Sequence, residues 1–266
     1  MNYLQDRTFL LVTGASRGIG REMALQLSKQ MQTEGSLVVL LGRSQQHLDE
    51  TKTAIEQARG TDNVKLKVLS YTLELATATA TDFAELLKQS LQGVDIETFK
   101  RAIVIHNAGT VGDISLHARE IGDTKELTHY YHINFFSTVA LNCEFMRVFR
   151  QLPKLIVNLS TKAAVEPFAS MAYYCTVKAA RDMYFRVLAV EEPSEQTLVL
   201  NYAPGAIDTQ MTEQVQRDTH NQELAAAFRQ QRESKTMLTT EQTVLKFLNV
   251  LQAQKFKSGD HVDYWD

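Results

Sequence analysis

The 266-residue sequence predicts an α/β fold, one doubly wound parallel sheet of about seven strands with helices on both faces. Three observations predict it. Short runs that are apolar throughout, as strands covered on both faces must be, alternate with longer stretches of helical period along the whole chain. The first such run leads straight into a glycine-rich turn, Gly14-Ala15-Ser16-Arg17-Gly18-Ile19-Gly20. No long linker, repeat or low-complexity tract interrupts the alternation and proline is scarce, with 4 residues, so residues 1–266 are expected to form a single domain.

Thr8-Phe9-Leu10-Leu11-Val12 is the first strand, and Ile19, Met23, Leu27 and Met31 recur on one face of the helix that follows it. Leu37-Val38-Val39-Leu40-Leu41 is the second strand, and Ser44 can cap a helix beginning near Gln45. Val64 to Leu69 reads as a third strand and Thr77 to Leu91 as a helix. Ala102-Ile103-Val104-Ile105 is a fourth strand running into Asn107-Ala108-Gly109, and Glu126 to Arg150 is one long helical stretch. Leu155 to Leu159 is the fifth strand, ending at Ser160-Thr161, and a helix covers Ala172 to Val190, stopped near Pro193. Thr197 to Asn201 is the sixth strand, closed by Pro204-Gly205. Residues 211–235 are polar and rich in Gln and Arg, which suits a helical, partly exposed lid. Val244, Leu248 and Leu251 mark a last core-facing helix, and His261 to Trp265 a final strand.

Composition narrows the function classes. At 44% hydrophobic and 22% charged residues the chain has ample material for a core. A net charge of -3 argues against nucleic acid as a partner, because phosphate binding needs a concentrated basic surface. Cys143 and Cys175 are the only cysteines, which suits reduced thiols in a cytoplasmic protein. No apolar run reaches the ~20 residues of a membrane span, the first residues lack the pattern of a signal peptide, and no metal is implied.

Gly14, Gly18 and Gly20 stand between a strand and a helix, where glycines allow a tight turn and a close approach of backbone to a pyrophosphate. A Rossmann-type site for a dinucleotide is the reading this context supports. A site for NAD usually has an acidic residue at the end of the second strand; here the chain reads Gly42-Arg43-Ser44. Arg43 offers a guanidinium fork to a 2′-phosphate and Arg17 a second, so NADP(H) is the expected cofactor.

Tyr174 and Lys178 lie four residues apart, one helical turn on one face. A free phenol has a pKa near ~10, and an ammonium beside it favours the phenolate, so the pair can serve as a tuned acid–base. A tyrosine and lysine at this offset also arise on ordinary exposed helices. Tyr173 lacks a lysine at the same offset and reads as packing.

Taken together, the glycine turn, Asn107-Ala108-Gly109, Tyr174 and Lys178 resemble the short-chain dehydrogenase/reductase family over almost the whole chain. The resemblance implies that Tyr174 is the acid–base, that Lys178 binds the cofactor ribose and lowers the tyrosine pKa, and that Asn134 completes a proton relay. The family's hydroxyl residue stands thirteen positions before the tyrosine, which is Thr161 here, with Ser160 one residue earlier as the other hydroxyl. For the cofactor, the resemblance implies the whole segment Gly14 to Gly20, Arg43 and Ser44, and Asn107 to Gly109. It also implies Thr72 and Leu73, where the family usually has an aspartate for the adenine amine. A covering loop would add Pro204, Gly205, Ile207, Asp208, Thr209 and Met211, with Thr209 at the carboxamide.

The second half, from Lys178-Ala179-Ala180-Arg181-Asp182-Met183 to Phe256-Lys257-Ser258-Gly259-Asp260-His261-Val262-Asp263, resembles the pterin-reducing members of that family. That resemblance implies a pterin substrate anchored by Asp263, with Thr161, Lys162, Tyr174 and Gly205 around it, and a homodimer packed through the helices at 126–150 and 172–190. A carboxylate at Asp263 can accept both the amino group and the ring N–H of a pterin. A broad dicarbonyl reductase and an NADPH-binding regulator without turnover are the alternatives.

Overall fold

The computed structural model describes residues 4–59 and 66–266. Among these residues, seven strands form one parallel sheet in the order β3-β2-β1-β4-β5-β6-β7. The strands are β1 (Thr8–Thr13), β2 (Leu37–Gly42), β3 (Lys67–Thr72), β4 (Arg101–His106), β5 (Lys154–Leu159), β6 (Thr197–Ala203) and β7 (His261–Asp263). The helices are α1 (Gly18–Gln30), α2 (Gln45–Arg59), α3 (Ala80–Ser90), α4 (Thr124–Tyr131), α5 (Ser137–Val148), α6 (Ala172–Glu191), α7 (Gln210–Asp218), α8 (Gln222–Glu233) and α9 (Thr240–Ala253). No helix among the described residues is long and apolar enough to cross a membrane.

The all-apolar runs make sense from the sheet's two covered faces. Successive side chains of a strand point to opposite sides. In β1, Leu10 and Val12 pack with Met23, Leu27 and Phe247, under α1 and α9. Phe9 and Leu11 pack on the other side with Phe83, Phe145, Phe149 and Phe185, under α3, α5 and α6. Phe9 and Phe149 meet with ring centroids 4.6 Å apart, a tilted contact of the kind that adds about 1 kcal/mol beyond burial.

Several boundaries differ from expectation. Val64 and Lys65 lie outside the described residues, and the third strand runs on to Thr72. Its register with β2, from Leu37↔Lys67 to Gly42↔Thr72, draws in Ser70, Tyr71 and Thr72; an edge strand tolerates such polar and half-buried residues. The stretch 126–150 is not one helix. A five-residue π turn, His132–Phe136, separates α4 from α5, closed by the Ser137 N–H donating to the His132 carbonyl. The buried Asn134 drives it by donating to the Tyr130 carbonyl at 2.9 Å while its own carbonyl oxygen accepts from the Thr110 N–H at 2.7 Å. The last strand stops at Asp263, because the Trp265 N–H turns back to the Asp263 carboxylate at 3.1 Å. Residues 211–235 form α7 and α8, partly exposed as expected.

Candidate active site

The chain adds β2 and β3 on one side of β1, then crosses to add β4 to β7 on the other. A crevice opens at the carboxyl ends of the strands flanking such a reversal, here beyond Thr13 and His106. Thr13 and Asn107 lock its two lips together. Thr13 Oγ1 accepts from the backbone N–H groups of Asn107 and Ala108, each at 3.0 Å. Asn107 Nδ2 donates to the carbonyls of Thr13 at 2.9 Å and Gly14 at 3.2 Å.

Gly14 (φ 66°) and Gly18 (φ 57°) adopt the left-handed backbone that glycine reaches without strain. A side chain at Gly20 would strike the Gly14 carbonyl and the Asn107 amide. Ala15 pins the loop to β2 through its N–H and the Leu41 carbonyl, 3.1 Å, and Ser16 Oγ fills the space a side chain at Gly42 would need. Helix α1 starts behind an extended Arg17 with no side-chain cap. Its first N–H groups and the positive end of its dipole therefore stand ready for an anion, while Ile19 turns into the core.

Arg43 is exposed at the end of β2. Ser44 Oγ accepts from the His47 N–H at 3.4 Å and starts α2. Thr72 pairs with Gly42, and the Leu73 N–H donates to the Gly42 carbonyl at 3.0 Å, which sets both beside Arg43. Arg17 departs from expectation, since its guanidinium is committed to Gln210 at the start of α7.

Tyr174 and Lys178 ride on α6, and the Thr161 hydroxyl lies near enough to the Tyr174 phenol to favour its ionised form. Ser160 is turned away, buried and donating to Asp182 Oδ1 at 2.5 Å. Of the two candidate hydroxyls, Ser160 is committed to Asp182, whereas Thr161 Oγ1 accepts from the Ala163 N–H at 3.3 Å. Lys178 is buried, with Nζ donating to the Leu159 carbonyl at 2.6 Å and standing 5.5 Å from the centre of the Tyr174 ring.

The electrostatics differ from the simple picture of a lysine lowering a tyrosine. Burial pushes the Tyr174 phenol up to about 12, against the opposing pull of Arg181 and of the Thr161 hydroxyl. Burial, with repulsion from Arg181, takes the Lys178 ammonium well below its ordinary value. The Lys178 ammonium lies over the ring face, and the Arg181 guanidinium favours the phenolate.

Arg181 escaped sequence reasoning as a site residue. It is fully buried, and donates to the carbonyls of His106 at 2.6 Å and Ala108 at 2.9 Å and to Asn158 Oδ1 at 2.9 Å. A weaker contact reaches the Asn134 carbonyl at 3.4 Å, so one guanidinium gathers the ends of β4 and β5 and the π turn. The available signal was an arginine seven positions past Tyr174, two helical turns on along the same buried face. Next to it His106 is buried and held down to about 3 by burial and by Arg181, so it stays neutral, contacting Asn142 Oδ1 at 3.2 Å.

On the substrate side, Gly205 (φ 81°) follows Pro204 at the end of β6, and a side chain there would lie 3.5 Å from Tyr264 Cβ. The covering loop is held by a bridge between the buried Ile207 and Leu238. Asp208 is occupied with Arg232 of α8, whose Nε donates to it at 3.0 Å. Thr209 precedes α7, 3.9 Å from where a side chain at Gly18 would begin, and Met211 packs in the same cluster as Tyr174. Lys162 is not drawn into the crevice, because its ammonium pairs on the surface with Glu166 at 3.2 Å. Asp263 sits half-buried at the tip of β7.

A model of the short chain dehydrogenase family matches residues 8–220. The sepiapterin reductase of Meriones unguiculatus is 35% identical over 263 residues, covering 96% of this chain and 95% of the relative. A benzil reductase ((S)-benzoin forming) of Bacillus cereus is 25% identical over 260 residues, covering 95% and 97%. A short chain dehydrogenase of Escherichia coli CFT073 solved with NADPH shares the fold, with a TM-score of 0.78 at 24% identity over 100% of both chains.

Proposed function

The chain belongs to the short chain dehydrogenase family, and from that premise we propose that it reduces the side-chain carbonyl of pterins, sepiapterin and 6-pyruvoyl-tetrahydropterin, with NADPH. One observation carries the reading: Tyr174, with the Lys178 ammonium 5.5 Å from its ring centre and Thr161 close by, stands at the carboxyl edge of a sheet whose first loop is shaped for a dinucleotide. The full-length likeness to sepiapterin reductases supports the substrate.

The residues present fit the cofactor. The Gly14–Gly20 loop has no room for side chains at Gly20, and the open N–H groups of α1 suit a pyrophosphate. Arg43 would take the 2′-phosphate, with Ser44 beside it, and Thr72 and Leu73 would flank the adenine. Asn107 to Gly109 would support the ribose, together with Tyr174 and Lys178, and Pro204 to Met211 would cover the nicotinamide. When bound, NADPH supplies the hydride.

The chain's own groups manage the proton and the geometry. Thr161 and Tyr174 would hydrogen-bond the carbonyl oxygen, and Tyr174 would give it a proton as the carbon becomes an alcohol. Burial raises the phenol, so it carries its proton at neutral pH. Lys178 and Asn134 would return a proton to Tyr174 from water. Asp263 would accept the amino group and ring N–H of the pterin, with Gly205 leaving room beside it.

The protein is proposed as one catalytic domain over residues 1–266, cytoplasmic and homodimeric. Exposed Met183, Val187 and Val190 make an apolar stripe along α6, and Phe136 lies exposed in the π turn, which supports packing across the helices at 126–150 and 172–190. The likeness to a benzil reductase favours a second reading, a broad dicarbonyl reductase. Turnover of sepiapterin against a simple diketone separates them. Under the pterin reading, Asp263→Ala raises the KM for sepiapterin by about tenfold or more and leaves the diketone untouched; unchanged sepiapterin kinetics in that variant would sink it. A regulator without turnover has no use for the Thr161–Tyr174 pair.

A further inference from the structure

Asp182 lies eight positions past Tyr174 on α6 and is only 5% exposed, yet the chemistry above gives it no part. Its Oδ1 accepts from Ser160 Oγ at 2.5 Å and from Asn158 Nδ2 at 3.0 Å. Its Oδ2 meets His261 Nδ1 at 2.5 Å. Asn158 Nδ2 continues to Asn201 Oδ1 at 2.9 Å, and Asn201 Nδ2 to the Gly259 carbonyl at 3.2 Å. One carboxylate thus holds both the residue before Thr161 and the strand that carries Asp263.

Strand β7 needs such a clip. It is three residues long, lies at the sheet edge, and pairs with β6 through Asn201↔His261, Tyr202↔Val262 and Ala203↔Asp263, flanked by backbone bonds from Asn201 N–H to the Asp260 carbonyl and from Tyr264 N–H to the Ala203 carbonyl. Alternate strand residues share a face, so His261 and Asp263 both face the α6 side, while Val262 packs into the core beneath α1 and α9. Whatever fixes His261 fixes Asp263 as well, two residues along.

We propose that the Asp182–His261 pair is a clip that sets the position of Asp263 against Thr161 and Tyr174, making His261 a positioning residue for the pterin end of the substrate. This rests on the reading of Asp263 as the pterin anchor. The clip is an ion pair when His261 is protonated and a hydrogen bond from a neutral imidazole to the carboxylate when it is not. His261 faces Asp182 from α6, Asp263 and Asp266 from its own segment, and only the uncharged Asn201 from β6; Lys178 and Arg181 share the field of Asp182 on α6. The hydrogen bond to Asp182, helped by the charges of Asp182, Asp263 and Asp266, outweighs burial and raises the histidine above its ordinary value. A raised folded value means the clip is at full strength below the unfolded value of about 6.5 and weakens as pH rises through the folded one. The KM for the pterin therefore climbs with pH while the KM for NADPH stays level.

The test is steady-state kinetics from about pH 6 to about pH 9 with sepiapterin and with a simple diketone, on wild type, His261→Ala, His261→Asn and Asp263→Ala. His261→Ala is expected to raise the sepiapterin KM by about tenfold, with kcat, the NADPH KM and diketone turnover within about twofold. His261→Asn, whose amide donates where Nδ1 did, brings the KM back to within about threefold and removes its pH dependence. The wild-type pH profile gives the same information without any substitution. The proposal is overturned if the His261→Ala KM matches wild type at every pH. It also falls if kcat and all KM values move together, or if a His261→Asn enzyme that melts like wild type fails to restore KM. If Asp263→Ala raises the sepiapterin KM and His261→Ala does not, the clip alone falls; if Asp263→Ala changes nothing, the anchor falls and takes the clip with it.

Discussion

The two sides of the crevice are built by different means. On the β1–β3 side, the proposed cofactor site is mostly backbone, left-handed glycines and an uncapped helix start, with one arginine side chain standing in solvent. The β5–β7 side is made of buried side chains, with Arg181, Asp182, Asn158, Ser160 and Lys178 bonded to each other or to strand carbonyls. A phosphate is large, charged and much alike in every dinucleotide, so generic N–H groups suffice for it. A proton donor must be held in one protonation state against one carbonyl, which takes preorganised and desolvated groups.

Substitutions on the two sides should therefore differ in kind. Tyr174→Phe removes the proton donor and is expected to lower kcat by about 10²–10⁴, with NADPH binding by fluorescence titration unchanged. Near wild-type turnover would remove the acid role. Arg181→Leu strands the carbonyls of His106 and Ala108 and should cost about 3 kcal/mol in urea unfolding, with the midpoint falling accordingly. A loss below about 1 kcal/mol would mean that the substrate side is no more preorganised than the cofactor side.

Acid should find the same cluster. The folded value of His106 is near 3 and its unfolded value about 6.5, so the unfolded chain binds the extra proton. Stability from this group is complete above about pH 6.5 and falls by about 1.4 kcal/mol per pH unit below it, levelling off near the folded value. Urea midpoints of wild type compared with His106→Asn between about pH 6 and about pH 4 read that slope. The smallest effect belongs to the solvent-facing side. Arg43→Ala is expected to raise the NADPH KM about tenfold while leaving the NADH KM and the melting temperature unchanged. A drop in melting temperature comparable to that of Arg181→Leu would erase the contrast.

That contrast also decided what could be seen in the sequence. Gly14, Gly18 and Gly20 stand close together, and their spacing is their function, so the cofactor loop was visible before any coordinates. β1 and β2 were visible because their central residues are apolar on both faces. β3 was displaced because an edge strand has weaker pattern, and the stretch 126–150 was over-joined because one side chain, Asn134, breaks it without any glycine or proline to announce the break. Tyr174, Lys178 and Thr161 were found by offsets within one helix and one strand end. Lys162 was carried along by its place beside Thr161, although its long side chain leaves for Glu166. Asn158, Ser160, Asp182, Asn201 and His261 belong to four elements, and only the order of the strands collects them.

The π turn at His132–Phe136 carries a consequence of another sort. Such a turn is a helix with one residue too many, and each residue advances a helix by about 100°. The surplus sets the rotational phase between α4, which turns Tyr130 toward Thr110, and α5, which turns Leu141 and Phe145 onto the sheet. Loss of a single codon from this turn would leave an unbroken helix in which the two faces cannot both be satisfied. A frame-preserving deletion that looks mild on paper would force the chain to choose between its core and its catalytic crevice.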